Sequence, residues 1–328
     1  MVINTELLQR LTNFAQKHAL ITRDQTIIVG LSGGPDSLFL FYFLKQIQQE
    51  YNLTLIAAHL DHGWRSNSTD DVLFCKTVAE NLNIECISAH ASEIKIDKIP
   101  KGSLEEQGRL LRRTFFKNIA QQHQNSCIAL GHHADDQQET FFIRLLRGSG
   151  VTGLAGINPK DGVYIHPLLC CTKQEIITTL EHNNISFLID QTNESEQFLR
   201  NRIRLNVIPS LRICDARFDE SLNRTMDNLR ETDDFLIQHT KKIFEACTNR
   251  SYGKTWLNCE TFFEQHEFMQ KKILLHWFIT ENVIFTPSSG LFKEVLQFFK
   301  NSKSQKHTLY GSWSIIKKGT YVTIEHVN

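Results

Sequence analysis

Ile27-Ile-Val-Gly-Leu-Ser-Gly-Gly-Pro-Asp-Ser37 is the stretch that decides the fold. Its apolar start has the composition of a strand buried on both faces, two glycines interrupt it, and Pro-Asp-Ser opens a helix. Gly33 and Gly34 can adopt positive φ and leave space for an anion. Pro35 suits a first helical turn, where its missing N–H costs nothing, and the amides around residues 34 to 38 face any bound phosphate. A Walker loop would supply a lysine, but none follows here. The charge of the bound group must then be offset by amides, by the hydroxyls of Ser32 and Ser37, and by a metal near Asp36.

Outward from this loop, apolar runs alternate with amphipathic stretches, the sign of a parallel sheet with crossover helices. Strands are expected at Thr26 to Leu31, Leu53 to His59, Ile84 to His90, Cys127 to Gly131 and Val163 to Leu168. Helices are expected at about 37 to 49, 68 to 82, 103 to 123, 134 to 147 and 172 to 183. In such α/β folds ligands bind beyond the carboxyl ends of the strands, and nearly every polar cluster below follows a strand or lies on the next helix. Past Pro209 the pattern turns helical, from Phe218 to about Phe299, and Thr308 to Val327 alternates as a hairpin around Lys317-Lys318-Gly319. The expected organisation is a Rossmann-like catalytic domain over residues 1–215 and a smaller, mainly helical domain over 216–328 that ends in a β element.

The bulk composition is that of an ordinary globular chain: 328 residues, 41% hydrophobic and 22% charged. No apolar stretch is long enough to span a membrane, and Met1 to Gln9 lacks the basic-then-apolar pattern of a signal peptide, so a cytoplasmic location with no membrane partner is expected. Eight cysteines without a C-x-x-C pair read as buried free thiols, neither a disulfide frame nor a zinc site. Thirty-six basic residues balance thirty-six acidic ones, a total that by itself argues against a polyanion partner. The distribution is uneven, however: residues 107–134, 140–160, 197–214 and 295–324 carry four, three, four and five basic residues and no acid. Basic surface is therefore expected to be local, with affinity for a polyanion falling steeply with salt.

Gly131-His-His-Ala-Asp-Asp-Gln-Gln-Glu-Thr140 is the most informative cluster. His132, Asp136 and Glu139 are spaced to share a helical face at a strand end, and the crowded carboxylates call for a cation, either a metal or a substrate ammonium. In Glu105-Glu-Gln-Gly-Arg-Leu-Leu-Arg-Arg113, Arg109 can pair with Glu105, whereas Arg112 has no acid four residues away and is the better functional candidate. The glycine-rich run Arg144 to Gly156 is a lid, a backbone-binding loop or a plain connector. Asn193 with Glu196 fits a helix cap that puts Arg200 and Arg204 on one face, for phosphate or nucleic-acid contact or for a docking salt bridge.

Taken together, S-G-G-P-D-S, H-L-D-H-G-W-R, G-R-L-L-R-R, G-H-H-A-D-D-Q-Q-E-T with R-L-L-R-G-S-G-V-T-G-L-A-G, H-P-L-L, and D-Q-T-N followed by R-N-R-I-R resemble the motif series of the tRNA(Ile)-lysidine synthetase family. They fall in that family's order over about residues 26 to 211. The first motif alone is shared across the ATP pyrophosphatase superfamily. This chain departs from the family's usual residues at Asp61, Arg113, His166 and Thr192.

The resemblance implies ATP-dependent ligation of L-lysine to C2 of the wobble cytidine in a tRNA(Ile) with anticodon CAU, with ATP and Mg2+ as cofactors. By the same resemblance Ser32, Gly33, Gly34, Pro35, Asp36 and Ser37 hold ATP, Asp36 holds the metal, and Asp136 and Glu139 hold the lysine. Asp36, Arg112, His132 and Arg204 are the catalytic candidates. Arg144, Arg147, Arg200 and Arg204 are the tRNA contacts, and a homodimer is compatible with the sequence. A tRNA thiolase of the same superfamily is the nearest alternative, although the absence of paired cysteines speaks against it. A non-catalytic adenine-nucleotide sensor is the alternative of another class.

Overall fold

The structure, a computed structural model, describes residues 1–63, 68–96, 104–189, 198–251, 253–283, 288–301 and 305–326, apart from the side chains of 104, 105, 289 and 310. Trp64 and Arg65, the pairing of Glu105 with Arg109, and the segment 190–197 with Thr192, Asn193 and Glu196 lie outside what is described. The chain divides into two compact units, Met1–Asp227 and Asn228–Asn328. The sequence pattern places the boundary at 215; the division falls within a long helix.

The first unit runs α1 (Thr5–Lys17), β1 (Thr26–Gly30), α2 (Pro35–Tyr51), β2 (Thr54–Asp61), α3 (Ser68–Asn81), β3 (Glu85–His90), α4 (Leu104–Ala120), β4 (Ser126–Ala129), α5 (Ala134–Leu146), α6 (Val151–Leu154), β5 (Lys160–Asp161), β6 (Tyr164–Ile165), α7 (Lys173–His182), α8 (Leu199–Arg202), α9 (Ile208–Cys214) and the start of α10 (Phe218–Cys247). The strands form one sheet in the order β3-β2-β1-β4-β6-β5, parallel except for β5. β1 is buried on both sides, as its unbroken apolar run requires. Ile27 and Val29 enter a core with residues of α1, α2, α3 and α7, while Ile28 enters a second one with Phe115, Phe116 and Ile119 of α4. Each such side chain contributes about 1.5–3 kcal/mol by leaving water.

The chain moves outward from β1 to β2 and β3, then returns to lay β4 on the other side of β1. The carboxyl ends of β1 and β4 therefore flank the point where strand order reverses, the place where open α/β sheets bind ligands. The chain leaving β4 is pressed against the first turn of α2: a Cβ on Gly131 would lie 2.9 Å from the Asp36 carbonyl carbon and oxygen. Only a glycine just past β4 permits this approach.

In the second unit α10 is followed by β7 (Thr248–Ser251), β8 (Lys254–Asn258), α11 (Cys259–Phe263), α12 (Glu267–Thr280), α13 (Ser289–Lys300), β9 (Lys306–Tyr310), β10 (Trp313–Lys318) and β11 (Tyr321–His326). The expected hairpin is β10–β11, with Lys318 opposite Tyr321 and Gly319 at positive φ in its turn. It belongs to a five-stranded antiparallel sheet ordered β7-β8-β11-β10-β9. β7 and β8 fall in the stretch read as helical. They are short and polar, and the alternation in Lys254-Thr-Trp-Leu-Asn258, where only Thr255 and Leu257 are buried, is too brief to stand out. The core of this unit gathers Phe262, Leu274, Trp277, Phe299, Ile315 and Val322.

All eight cysteines are free thiols. Burial pushes Cys75 and Cys127 up to about 12, so these two stay protonated and inert. Among the described residues no helix is long and apolar enough to cross a membrane.

Candidate active site at the switch point

The loop between β1 and α2 is built as its sequence demands. Gly33 sits at φ +80°, and a Cβ there would meet Leu188 Cδ1 at 2.5 Å. Its carbonyl accepts the Leu188 amide at 2.9 Å. Ser37 Oγ donates to the Gly34 carbonyl at 3.0 Å and accepts the Ser32 amide at 3.1 Å, which curls the loop over the start of α2. Pro35 occupies the first turn of that helix beside Asp36.

A lysine does reach this loop, from far along the chain. Lys173, the first residue of α7, places Nζ 2.6 Å from Asp36 Oδ1. Sequence reasoning missed it by seeking a lysine within the loop. The available signal was the capping box Thr172-Lys-Gln-Glu175 that starts a helix just after His166-Pro-Leu-Leu169.

The carboxyl end of β4 supplies the rest. His132 and His133 precede α5, so His132 is not on the helical face with Asp136 and Glu139 as the spacing suggested. It turns instead to His166, with the two Nδ1 atoms 3.0 Å apart, one donating and the other accepting. Burial pushes both imidazoles down, His166 to about 3, which keeps the pair neutral. His133 is the opposite case. Burial opposes its charge, but the carboxylates of Asp135, Asp136 and Asp36 outweigh burial and raise its pKa.

The cation that the carboxylates call for comes from the chain itself. Glu139, 0% exposed, accepts Arg200 Nε and Arg204 Nε at 2.5 Å each. Asp136 accepts an Arg200 terminal nitrogen at 2.9 Å and the His133 amide at 3.0 Å. Despite burial, the charges of His133 and Arg200 hold Asp136 below the usual carboxylate range. Arg200 lies in α8, and Arg204 lies in a π-helical turn, Ile203–Val207, between α8 and α9. Pro209 lacks the N–H that would bond the Leu205 carbonyl, a local cause for the widened turn. Arg212 completes the belt by donating to Asp135, Gln138 and Asp219. Arg200, Arg204 and Arg212 of the basic run 197–214 are thus engaged with acids.

The other arginines have distinct settings. Arg144 donates to the Gly153 and Gly156 carbonyls at 2.8 Å each, and the Gln137 amide clamps Ile157 through both its N–H and its carbonyl. The glycine-rich run is consequently a tied lap over α5. Arg147 is exposed at the end of that helix. Arg112 is exposed, and its charge adds to burial in pushing His62 down to about 4. Arg113 stacks on Tyr164, 4.2 Å from the ring centre. His59 is structural, since its Nδ1 lies 2.9 Å from the Leu31 carbonyl and ties β2 to the loop entrance.

No cluster of three or more His, Cys, Asp or Glu that could hold a metal occurs among the described residues. Mg2+ does not need one, because it takes one or two carboxylates together with substrate phosphates and water. Asp36, partly exposed beside the loop amides, fits that use.

A nucleotide-type α/β sheet with a lysine-free S-G-G-x-D-S loop at its switch point defines a class, and the chain belongs to it: the PP-loop domain family matches residues 3–211. More particular relatives are tRNA(Ile)-lysidine synthases, as the motif series led one to expect. That of Bacillus cereus is 30% identical over 90% of this chain and 64% of its own length, and that of Clostridium tetani 32% identical over 80% and 56%. The chain thus spans about three-fifths of the length of the curated relatives it matches. A solved U34-tRNA thiolase from Methanococcus maripaludis aligns with a TM-score of 0.57 and 20% identity, over 69% of this chain and 78% of that one, a likeness of fold.

Proposed function

We propose that the chain ligates L-lysine to C2 of the wobble cytidine of a CAU-anticodon tRNA(Ile), at the expense of ATP, in the cytoplasm. The observation that carries this reading is the convergence of the Ser32–Ser37 loop with two carboxylates, the half-buried Asp136 and the fully buried Glu139, at the carboxyl ends of the sheet. Adenylating the cytosine needs the first, and capturing an amino acid with a second ammonium needs the second.

In this scheme the cytosine O2 attacks the α-phosphate, pyrophosphate leaves, and the lysine ε-amine then displaces AMP from C2. The loop amides and the hydroxyls of Ser32 and Ser37 hold the pyrophosphate portion. Mg2+ on Asp36 would offset the charge developing there. Lysine's ammonium replaces a guanidinium of equal charge on Asp136 or Glu139, so the buried acids stay neutralised. The displaced Arg200 or Arg204 then has the α-phosphate as its nearest anion. Arg112, by family resemblance, serves the same phosphate.

The amine must shed a proton before it attacks. His132, neutral at physiological pH because it is buried, can accept one, and its contact with His166 orients the ring. An anticodon cytosine is already unpaired, so moving it into the pocket costs little. Arg147 and the basic residues of the second unit are the proposed tRNA contacts, with Arg200 and Arg204 joining them once released. The test is AMP release that requires both lysine and tRNA(Ile). AMP formed with a sulfur donor and no lysine would favour a thiolase, and ATP binding without turnover a sensor.

A further inference from the structure

Asp36 is the sole acid of the phosphate loop, and in this structure its Oδ1 is held by the Lys173 ammonium at 2.6 Å. The two ends of Lys173 differ in freedom. Its backbone N–H donates to Asp135 Oδ2 at 2.8 Å, and the turn it starts is fixed by the reciprocal bonds of Thr172 and Glu175, with Glu175 also paired to Arg10. The tip is different: the Lys173 side chain is 35% exposed and that of Asp36 30%. Ion pairs so open to water are weak and exchange partners at little cost. A fixed stem with an exchangeable tip beside a loop that lacks its own lysine is what a polyphosphate counter-cation requires.

Resting on the nucleotide reading above, we infer that Lys173 supplies the charge that a Walker loop takes from its own lysine. When a nucleotide binds, the ammonium passes from Asp36 to the oxygens of the two terminal phosphates. Asp36 is thereby released to Mg2+, because two cations cannot share one carboxylate oxygen without repulsion. The transfer keeps the loop's charge balanced before and after binding, and it makes release of Asp36 conditional on the presence of phosphate.

The test is calorimetric titration of the full chain with ATP, inorganic pyrophosphate and AMP, each with Mg2+, for wild type, Lys173→Met and Lys173→Gln. Melting temperatures are measured in parallel. The glutamine variant keeps a neutral donor to Asp36 and decides the matter if the methionine variant folds poorly. The expected result is a loss of about ten-fold in ATP and pyrophosphate affinity in both variants, the size of one hydrogen bond to a charged group, with AMP affinity unchanged. Pyrophosphate affinity that stays at the wild-type level, or falls equally with that for AMP, would show Lys173 to be a structural tie and overturn the inference. A wild-type chain that binds neither ATP nor pyrophosphate would remove the nucleotide reading itself.

Discussion

Glu139→Gln probes the arginine belt at its centre. Glu139 is fully buried, and each of its oxygens takes one guanidinium, from Arg200 and from Arg204. The substitution removes one charge and one acceptor, and it turns an amide N–H2 toward an arginine donor. Removing one partner of a buried pair costs about 3–5 kcal/mol. Here the arginine side chains are 34% and 37% exposed, so water can reach them, and Asp136 still holds Arg200. The expected loss is therefore smaller, about 2–3 kcal/mol. At roughly 2–4 °C per kcal/mol for a unit of this size, the melting midpoint of the full chain should fall by about 4–12 °C. Adding Arg204→Met should restore part of that loss by removing the orphaned charge. ATP affinity should stay within about two-fold while lysine use weakens. A melting shift under about 2 °C would refute the view that Glu139 anchors both arginines.

Other perturbations separate competing roles. Arg144→Ala should expose residues 148–158 to proteolysis and leave the salt dependence of tRNA binding unchanged, because its guanidinium is bonded to the Gly153 and Gly156 carbonyls; Arg147→Ala should instead lower the salt slope by about one. Gly33→Ala forces a side chain into positive φ against Leu188 and should cost about 1–2 kcal/mol along with most ATP affinity; unchanged binding would mean that the loop is not a phosphate cradle. Acid should unfold the chain partly through His132 and His166, whose folded pKa values lie below the unfolded value of about 6.5. Their contribution is complete above about pH 6.5 and is lost as pH falls through the folded values, for His166 toward about 3. His133, raised, has the opposite sign and loses its contribution above about pH 6.5. Urea midpoints against pH for His166→Gln should show a shallower acid limb than wild type.

Much of the first unit was legible because its signals are local. A run such as Ile27 to Leu31 can be buried on both faces only in a central strand, and the helix starts at Pro35, Ala134 and Lys173 carry a proline or a capping arrangement. The strands at Thr248–Ser251 and Lys254–Asn258 were not, because they pair with each other as a short, mostly polar hairpin and the other partner of Lys254–Asn258 lies near the end of the chain. The site shows the same divide. Asp136 and Glu139 were found by spacing, and so was the facing pair Arg200 and Arg204. That the two pairs bond each other across more than sixty residues is tertiary information. Lys173 on Asp36, 137 residues apart, is another case, as is His166 on His132. The basic run 197–214 also changes meaning: most of its charge neutralises acids of α5 and α10, so RNA contact by these arginines requires their release.

The most direct test of lysine transfer uses radiolabelled lysine with ATP, Mg2+, the full chain and CAU-anticodon tRNA(Ile), with elongator tRNA(Met) as control, followed by digestion of the tRNA to nucleosides. Ligation at the wobble position predicts label in a single modified cytidine from tRNA(Ile), dependent on ATP and absent from tRNA(Met). Label in neither tRNA with chain that binds ATP, or equal label in both, would contradict it.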